Sequence, residues 1–263
     1  MKLSSVVILK PDRGRMAIVA ELRRLLPRME GAPARVLPFG VPDLDMYLPH
    51  GGLACGGLHE IMPADAGMSA AFGFVAAILT RLPSDGPVLL ISAPRGFGDY
   101  GRPHGHGLNG LGLDPTRVIL VEAGSDGLAL WAMEEALRSG APAAVAGAIG
   151  KGLDFKASQR LQLAARDAGL PLLLLRPAGT TGASAGATRW RIAAARARRD
   201  RFGLMARWRW RVHLERCRNG RPGEWLVEWD HVTHRFSLAA ALADTAIPRS
   251  AGAQSITGRA ARS

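Results

Sequence analysis

Residues 62–69 read MPADAGMS, and their types and spacing describe a phosphate-binding loop with its charge removed. A working loop of the form GxxxxGK(S/T) cradles a nucleotide's phosphates with backbone N–H groups, and its lysine ammonium offsets the β and γ oxygens. Here Met62 stands in place of the first glycine and Met68 in place of the lysine, while Gly67 and Ser69 remain. A thioether carries no positive charge and donates no hydrogen bond. The rest of such a site is missing too. A buried strand should end in a magnesium-holding aspartate, yet residues 143–149, AAVAGAI, contain no acid, and the apolar run 88–92 leads into Ala93, Pro94 and Arg95. The pattern predicts an inherited strand–loop–helix unit that has lost nucleotide hydrolysis and needs no cofactor; a chance spacing is the alternative.

A second group of residues suits contact with anions. The chain has 30 Arg against 4 Lys and a formal charge of +12. Between Arg189 and Arg221 lie twelve arginines and only Asp200 and Glu215 as acids, so this stretch carries +10 while the remainder is nearly neutral. Clustering of that density is the electrostatic footprint of an anionic partner, most often nucleic acid. Around Trp208 the sequence alternates with period two. Trp208, Trp210, Val212 and Leu214 point one way, and Arg207, Arg209, Arg211 and His213 the other. With Arg189 and Arg191 on a neighbouring strand, these arginines either meet phosphates or form an exposed sheet face whose stems cover apolar surface.

Other combinations carry less. GHGLNG at residues 105–110 matches GxGxxG, but no strand ends before it and LDPTRVILVE after it is not a helix, so a flexible glycine-rich loop is expected. His104 and His106 lack a third placed donor for a metal. Glu122, Glu134 and Glu135 read as ordinary solvated acids, and no nucleophile with a paired base stands out.

These groups need elements to hold them. Strands are expected at residues 58–62, 88–92, 118–122, 143–149 and 172–175, with helices near 69–82, 127–138 and 156–168 between them. Apolar strands alternating with helices imply βαβ units and a mainly parallel sheet flanked by helices, an α/β fold. The last third then extends the sheet with antiparallel strands, with Asn219–Gly220 as a hairpin signal. Upstream, GRMAIVAELRRLLP at residues 14–27 has helical apolar spacing, and Pro42 suits the first position of a short helix. The expected organisation is residues 1–34 as N-terminal helix and linker, 35–247 as one domain with its β extension, and 248–263 as a disordered tail.

At 263 residues the chain can bury a substantial core. The uncharged run 66–80 has 15 residues, short of a membrane span. MKLSSVVILKPDRGR lacks a cleavage site, and Cys55 and Cys217 are isolated, so a reduced cytoplasmic setting is expected.

LPFGVPDLDMYLPHGGLACGGLHEIMPADAG resembles the corresponding opening of RecA-like recombinases. Over about residues 35–245 the chain is similar to the ImuA family of SOS mutagenesis proteins, through LPFGVPDLD, GGLACGGLHEI, LGLDPTRVILVEA, ALWAMEEALRSG, ASQRLQLAARDAGLPLLLLR, TRWRIAAA and WRVHLERCRNGRPGEWLVEW. The resemblance implies a RecA-like fold acting without nucleotide hydrolysis in DNA-damage-induced translesion synthesis. It also implies contacts with a Y-family polymerase relative, ImuB, and with RecA, and an error-prone polymerase III α subunit in the same machinery. A divergent phosphate-loop ATPase acting on DNA and a plain DNA-binding module on the arginine face are the alternatives.

Overall fold

Nine strands form one continuous sheet in the computed structural model, which describes residues 35–64, 67–82, 86–98, 101–199 and 201–239. A small antiparallel ribbon of β1 (Val36–Leu37) and β2 (Leu53–Ala54) precedes it. The large sheet contains β3 (Leu58–Pro63), β4 (Val88–Ser92), β5 (Val118–Glu122), β6 (Ala144–Ala148) and β7 (Leu172–Leu175). It continues with β8 (Thr188–Arg199), β9 (Met205–Cys217), β10 (Gly223–Asp230) and β11 (Arg235–Leu238). Its spatial order is β5-β4-β6-β7-β3-β8-β9-β10-β11. The first six of these run parallel, and β9, β10 and β11 are added antiparallel. The five expected core strands coincide with those observed to within one residue at each end. The helices are α1 (Pro42–Asp45), α2 (Met68–Leu79), α3 (Gly105–Gly110), α4 (Asp126–Ser139) and α5 (Phe155–Ala168).

Central parallel strands are covered on both faces and therefore read as unbroken apolar runs. All four leucines of β7 are buried, and so is the whole of β6. Alternate side chains feed two cores. Ala144, Ala146, Leu173 and Leu175 face α2, while Val145, Leu172 and Leu174 face α4 and α5. Gly147 sits where Met133 of α4 leaves no space for a Cβ, so a residue without a side chain permits that close approach.

On the α2 side the core is aromatic. Phe74 lies 5.8 Å from Phe39 and from Phe236, 5.9 Å from Trp210 and 6.2 Å from Trp190, measured between ring centroids. One helix thereby bonds to both halves of the sheet. The alternation expected around Trp208 is present: Trp210, Val212 and Leu214 are buried against this cluster.

Two expectations are corrected. Residues 105–110 form the short helix α3 rather than a loop, because Leu108, Leu111 and Leu113 anchor it in the core despite its glycines. The strand β11 was not anticipated; it pairs with β10 across the turn after Asp230 and delivers Phe236 to the aromatic cluster. The expected helix at residues 14–27 and the tail 248–263 lie outside the described residues. Among the described residues no helix is long and apolar enough to cross a membrane.

The opening turn has its own lock. The Asp45 carboxylate accepts from the backbone N–H groups of Phe39 (2.8 Å), Gly40 (2.9 Å) and Val41 (3.0 Å), closing the LPFGVPDLD segment on itself. Gly40 takes φ +76°, a conformation that disfavours other residues. Asp45→Ala strands those donors near the core and is expected to lower unfolding free energy by about 3 kcal/mol in chemical denaturation; an unchanged midpoint would show that water replaces the carboxylate.

Candidate functional site

The strand–loop–helix unit expected from residues 62–69 is present: β3 ends at Pro63 and α2 begins at Met68, with Gly67 at its N-cap. At Ala64 the backbone N–H donates to the Ile192 carbonyl at 2.8 Å, tying the start of the loop to β8. Met62 is fully buried on β3, and Met68 is packed into the aromatic-side core. Ser69, on the first helical turn, is exposed, as is Ala64. A helix N-terminus with free N–H groups favours an anion, but the position that supplies a cation in a working loop is an apolar side chain turned inward.

The acid-free strand is β6, two places from β3 in the sheet. Beyond its end, the Gly150 N–H donates to Asp126 Oδ1 at 3.0 Å, and Asp126 Oδ2 is buried without a partner. Asp126 is the first residue of α4, so inspection of strand ends alone passes over it. Glu122, at the end of β5, is exposed and accepts from Arg102 at 2.5 Å. Among the described residues no group of three or more His, Cys, Asp or Glu is placed to hold a metal ion.

The five arginines expected to form this face each meet an acid within the fold. Arg189 lies 3.1 Å from Glu60, and Arg191 2.5 Å from Glu215. Arg207 lies 3.2 Å from Glu228 and 3.3 Å from Asp230, Arg209 2.5 Å from Glu228, and Arg211 3.8 Å from Glu224. Sequence spacing brings the arginines to one face; the acids that meet them come from β3, β9 and β10 and were not paired with them by inspection. Glu60 is the most buried of these acids. Its Oε2 accepts from Arg176 at 2.6 Å as well as from Arg189, forming a triad of two cations and one anion within the central strands. A phosphate approaching this face competes with carboxylates already in place.

His59, also on β3, closes a chain of buried polar groups. Trp190 Nε1–H donates to Thr188 Oγ1 at 2.7 Å; His59 Nδ1 lies 2.8 Å from that hydroxyl, and Nε2 2.9 Å from the Ala54 carbonyl. The network is complete with a neutral ring that donates through Nε2 and accepts at Nδ1. His104 and His106 have rings 5.2 Å apart at the start of α3 and are exposed.

Beside the loop opens an apolar groove of about 530 Å³. Its walls are the first turns of α2 (Met68, Phe72), the α3 segment (Leu108, Leu111) and the β8–β9 hairpin (Met205, Trp208). That hairpin overhangs the site because β8 outruns its neighbour. Pairing with β3 ends at Ile192, and residues 193–199 continue against β9 alone. The groove therefore lies near the carboxyl end of β3, the edge where open α/β sheets bind ligands. Sequence inspection missed it, since its walls come from four separate segments.

Comparison with known proteins places this geometry. No family profile matches the chain. Protein ImuA of Caulobacter vibrioides, from two strains, is 39% identical over 232 residues, which span 81% of this chain and 92% of the relative. The chain belongs to the ImuA family. Among solved structures it is similar to the RadB recombinase, with a TM-score of 0.51 at 14% identity over 78% of this chain and all of that one, which makes the fold RecA-like. The segments that resemble the ImuA family fall on structural joints. LPFGVPDLD is the turn closed by Asp45, GGLACGGLHEI carries β2 and most of β3 with His59 and Glu60, and WRVHLERCRNGRPGEWLVEW is the β9–β10 hairpin.

Two measurements test this polar framework. Arg209→Ala leaves the buried Glu228 with a weaker partner set and is expected to cost about 3 kcal/mol in denaturant unfolding, whereas a surface arginine would cost almost nothing. Burial pushes the His59 pKa from 6.5 down to about 4. The unfolded chain takes up this proton first as pH falls, so the ring opposes folding progressively between those values. Stability should drop by about 3 kcal/mol from this group between pH 7 and pH 4. His59→Gln should flatten that part of the pH profile; a profile identical to wild type would show that the ring titrates normally.

Proposed function

We propose that this protein is a non-hydrolysing RecA-like accessory protein of DNA-damage-induced (SOS) translesion synthesis and mutagenesis. It works through contacts with an ImuB-like Y-family polymerase relative and with RecA, and the error-prone polymerase III α subunit joins indirectly. Membership of the ImuA family supports the setting. The observation that carries the non-hydrolysing part is Met68, an apolar side chain packed inward at the position where a phosphate loop presents its lysine. A nucleoside triphosphate bears several negative charges that need a cation or metal beside them. With a methionine there and no acid on β6, the loop has neither the charge for the γ-phosphate nor a strand carboxylate for magnesium. The scaffold remains and is available to macromolecules.

Contact with DNA through Arg207, Arg209 and Arg211 is a weaker reading, because each already has a carboxylate within 4 Å. Calorimetric titration with ATP and magnesium is expected to give no saturable heat, and purified protein no turnover; turnover abolished by Ser69→Ala would overturn the non-hydrolysing reading. Co-purification with the polymerase-like partner and with RecA is expected to succeed in the absence of nucleotide. Failure with both would remove the scaffold role.

A further inference from the structure

At the overhang of the β8–β9 hairpin the arginines outrun their acids. Glu224, Glu228 and Asp230, which meet Arg207, Arg209 and Arg211, all come from β10. That strand stops at Asp230, and its last residue paired with β9, Trp229, lies opposite Trp208. On the other side, β8 leaves β3 at Ile192. The hairpin therefore continues as a two-stranded ribbon with no third strand to supply carboxylates. Residues 196–207, RARRDRFGLMAR, contain five arginines and one aspartate, a net charge of +4. Arg196, Arg198, Arg199 and Arg201 are exposed, and among the described residues they meet no carboxylate. Arg199 spends one N–H on the Gly203 carbonyl across the turn, at 2.5 Å.

The register adds a second observation. Arg198 lies directly opposite Arg207, on the face turned away from Trp208 and Trp210. Like charges placed opposite one another weaken a strand pair, and a polyanion laid along the ribbon relieves them. A protein interface centres on desolvated apolar residues with charges at its rim. Here the cations occupy both strands and the exposed apolar side chains only the tip. There the Arg201 guanidinium sits 4.6 Å from the Phe202 ring centroid, and Phe202 is 71% exposed. Guanidinium groups engage phosphates through their planar fork, and an aromatic ring set among cations is a platform for stacking a base.

We propose that this ribbon binds single-stranded DNA, with Arg196, Arg198, Arg199 and Arg201 meeting its phosphates and Phe202 stacking on an unpaired base. Charge complementarity selects a polyanion. The exposed ring selects a single strand, because a duplex keeps its base faces inside the stack and would leave Phe202 unused. The inference goes beyond the scaffold reading, and it moves DNA contact away from Arg209 and Arg211, whose charges are already met within the sheet.

The test is anisotropy titration of a labelled oligo-dT with the full chain. Saturable binding at low salt is expected, and log Kd plotted against log salt should rise with a slope of about 3, the value for four phosphate contacts on a single strand. Arg196→Gln combined with Arg198→Gln should lower that slope by about 1.4 and weaken binding at least about tenfold. Arg198→Gln alone removes the like-charge pair and should leave the melting temperature unchanged or raised, which separates a lost contact from a lost fold. Phe202→Ala should weaken binding about tenfold without changing the slope. No saturable binding, a slope near zero, or an affinity indifferent to the double replacement would overturn the inference. So would an equal loss on Arg211→Gln, which would put the contact on the paired arginines, or tighter binding of a duplex with no response to Phe202→Ala. Tighter binding of poly-glutamate than of the oligonucleotide would also overturn it, in favour of an acidic protein. None of these outcomes bears on co-purification with the polymerase-like partner and RecA, so the scaffold reading stands or falls separately.

Discussion

Phe74 holds the two halves of this molecule in register. It projects from the middle of α2 into a cluster made by Phe39 from the opening turn, Trp190 from β8, Trp210 from β9 and Phe236 from β11. Each well-placed aromatic pair contributes about 1 kcal/mol beyond the area it buries. The arrangement matters more than the sum, since Phe74 touches the opening turn, the last parallel strand and the antiparallel extension together, and Phe39 closes the same cluster against Trp190 at 5.6 Å and Phe236 at 5.5 Å. With α2 fixed at its centre, its first turn is fixed too, and with it Met68, Ser69 and the floor of the groove.

The opposite face solves a different problem. A chain this rich in arginine must place many cations on one sheet surface, and it does so by interleaving acids from neighbouring strands. Arginine suits the task better than lysine because its planar fork engages two acceptors at once, as Arg207 does with Glu228 and Asp230. The Glu60 triad extends the same device into the centre of the sheet, where it links β3, the end of β7 and β8.

Much of this was legible in the sequence, for physical reasons that can be named. The five core strands are apolar on both faces and bounded by turns, so their limits were readable to within a residue. The period-two pattern around Trp208 gave the correct buried face. The helix at Gly105–Gly110 was not legible, because its glycines favour a loop and only the burial of Leu108 and Leu111 overrides them. The residue types at positions 62–69 were plain, but the inward turn of Met68 was not. The partners of Arg189 and Arg209 were invisible for another reason: Glu60 lies 129 residues from Arg189 and Glu228 lies 19 from Arg209, and pairing depends on register that no local pattern states.

The overhang of β8 gives the molecule a lever. Residues 193–199 belong to the same unbroken strand that is bonded to β3 through Ile192, next to the first residue of the loop. Load on the overhang runs down the backbone of β8 and passes to β3 through their shared hydrogen bonds, the last of them from Ala64 N–H to the Ile192 carbonyl. A grip on the overhang is therefore mechanically coupled to the segment between β3 and α2.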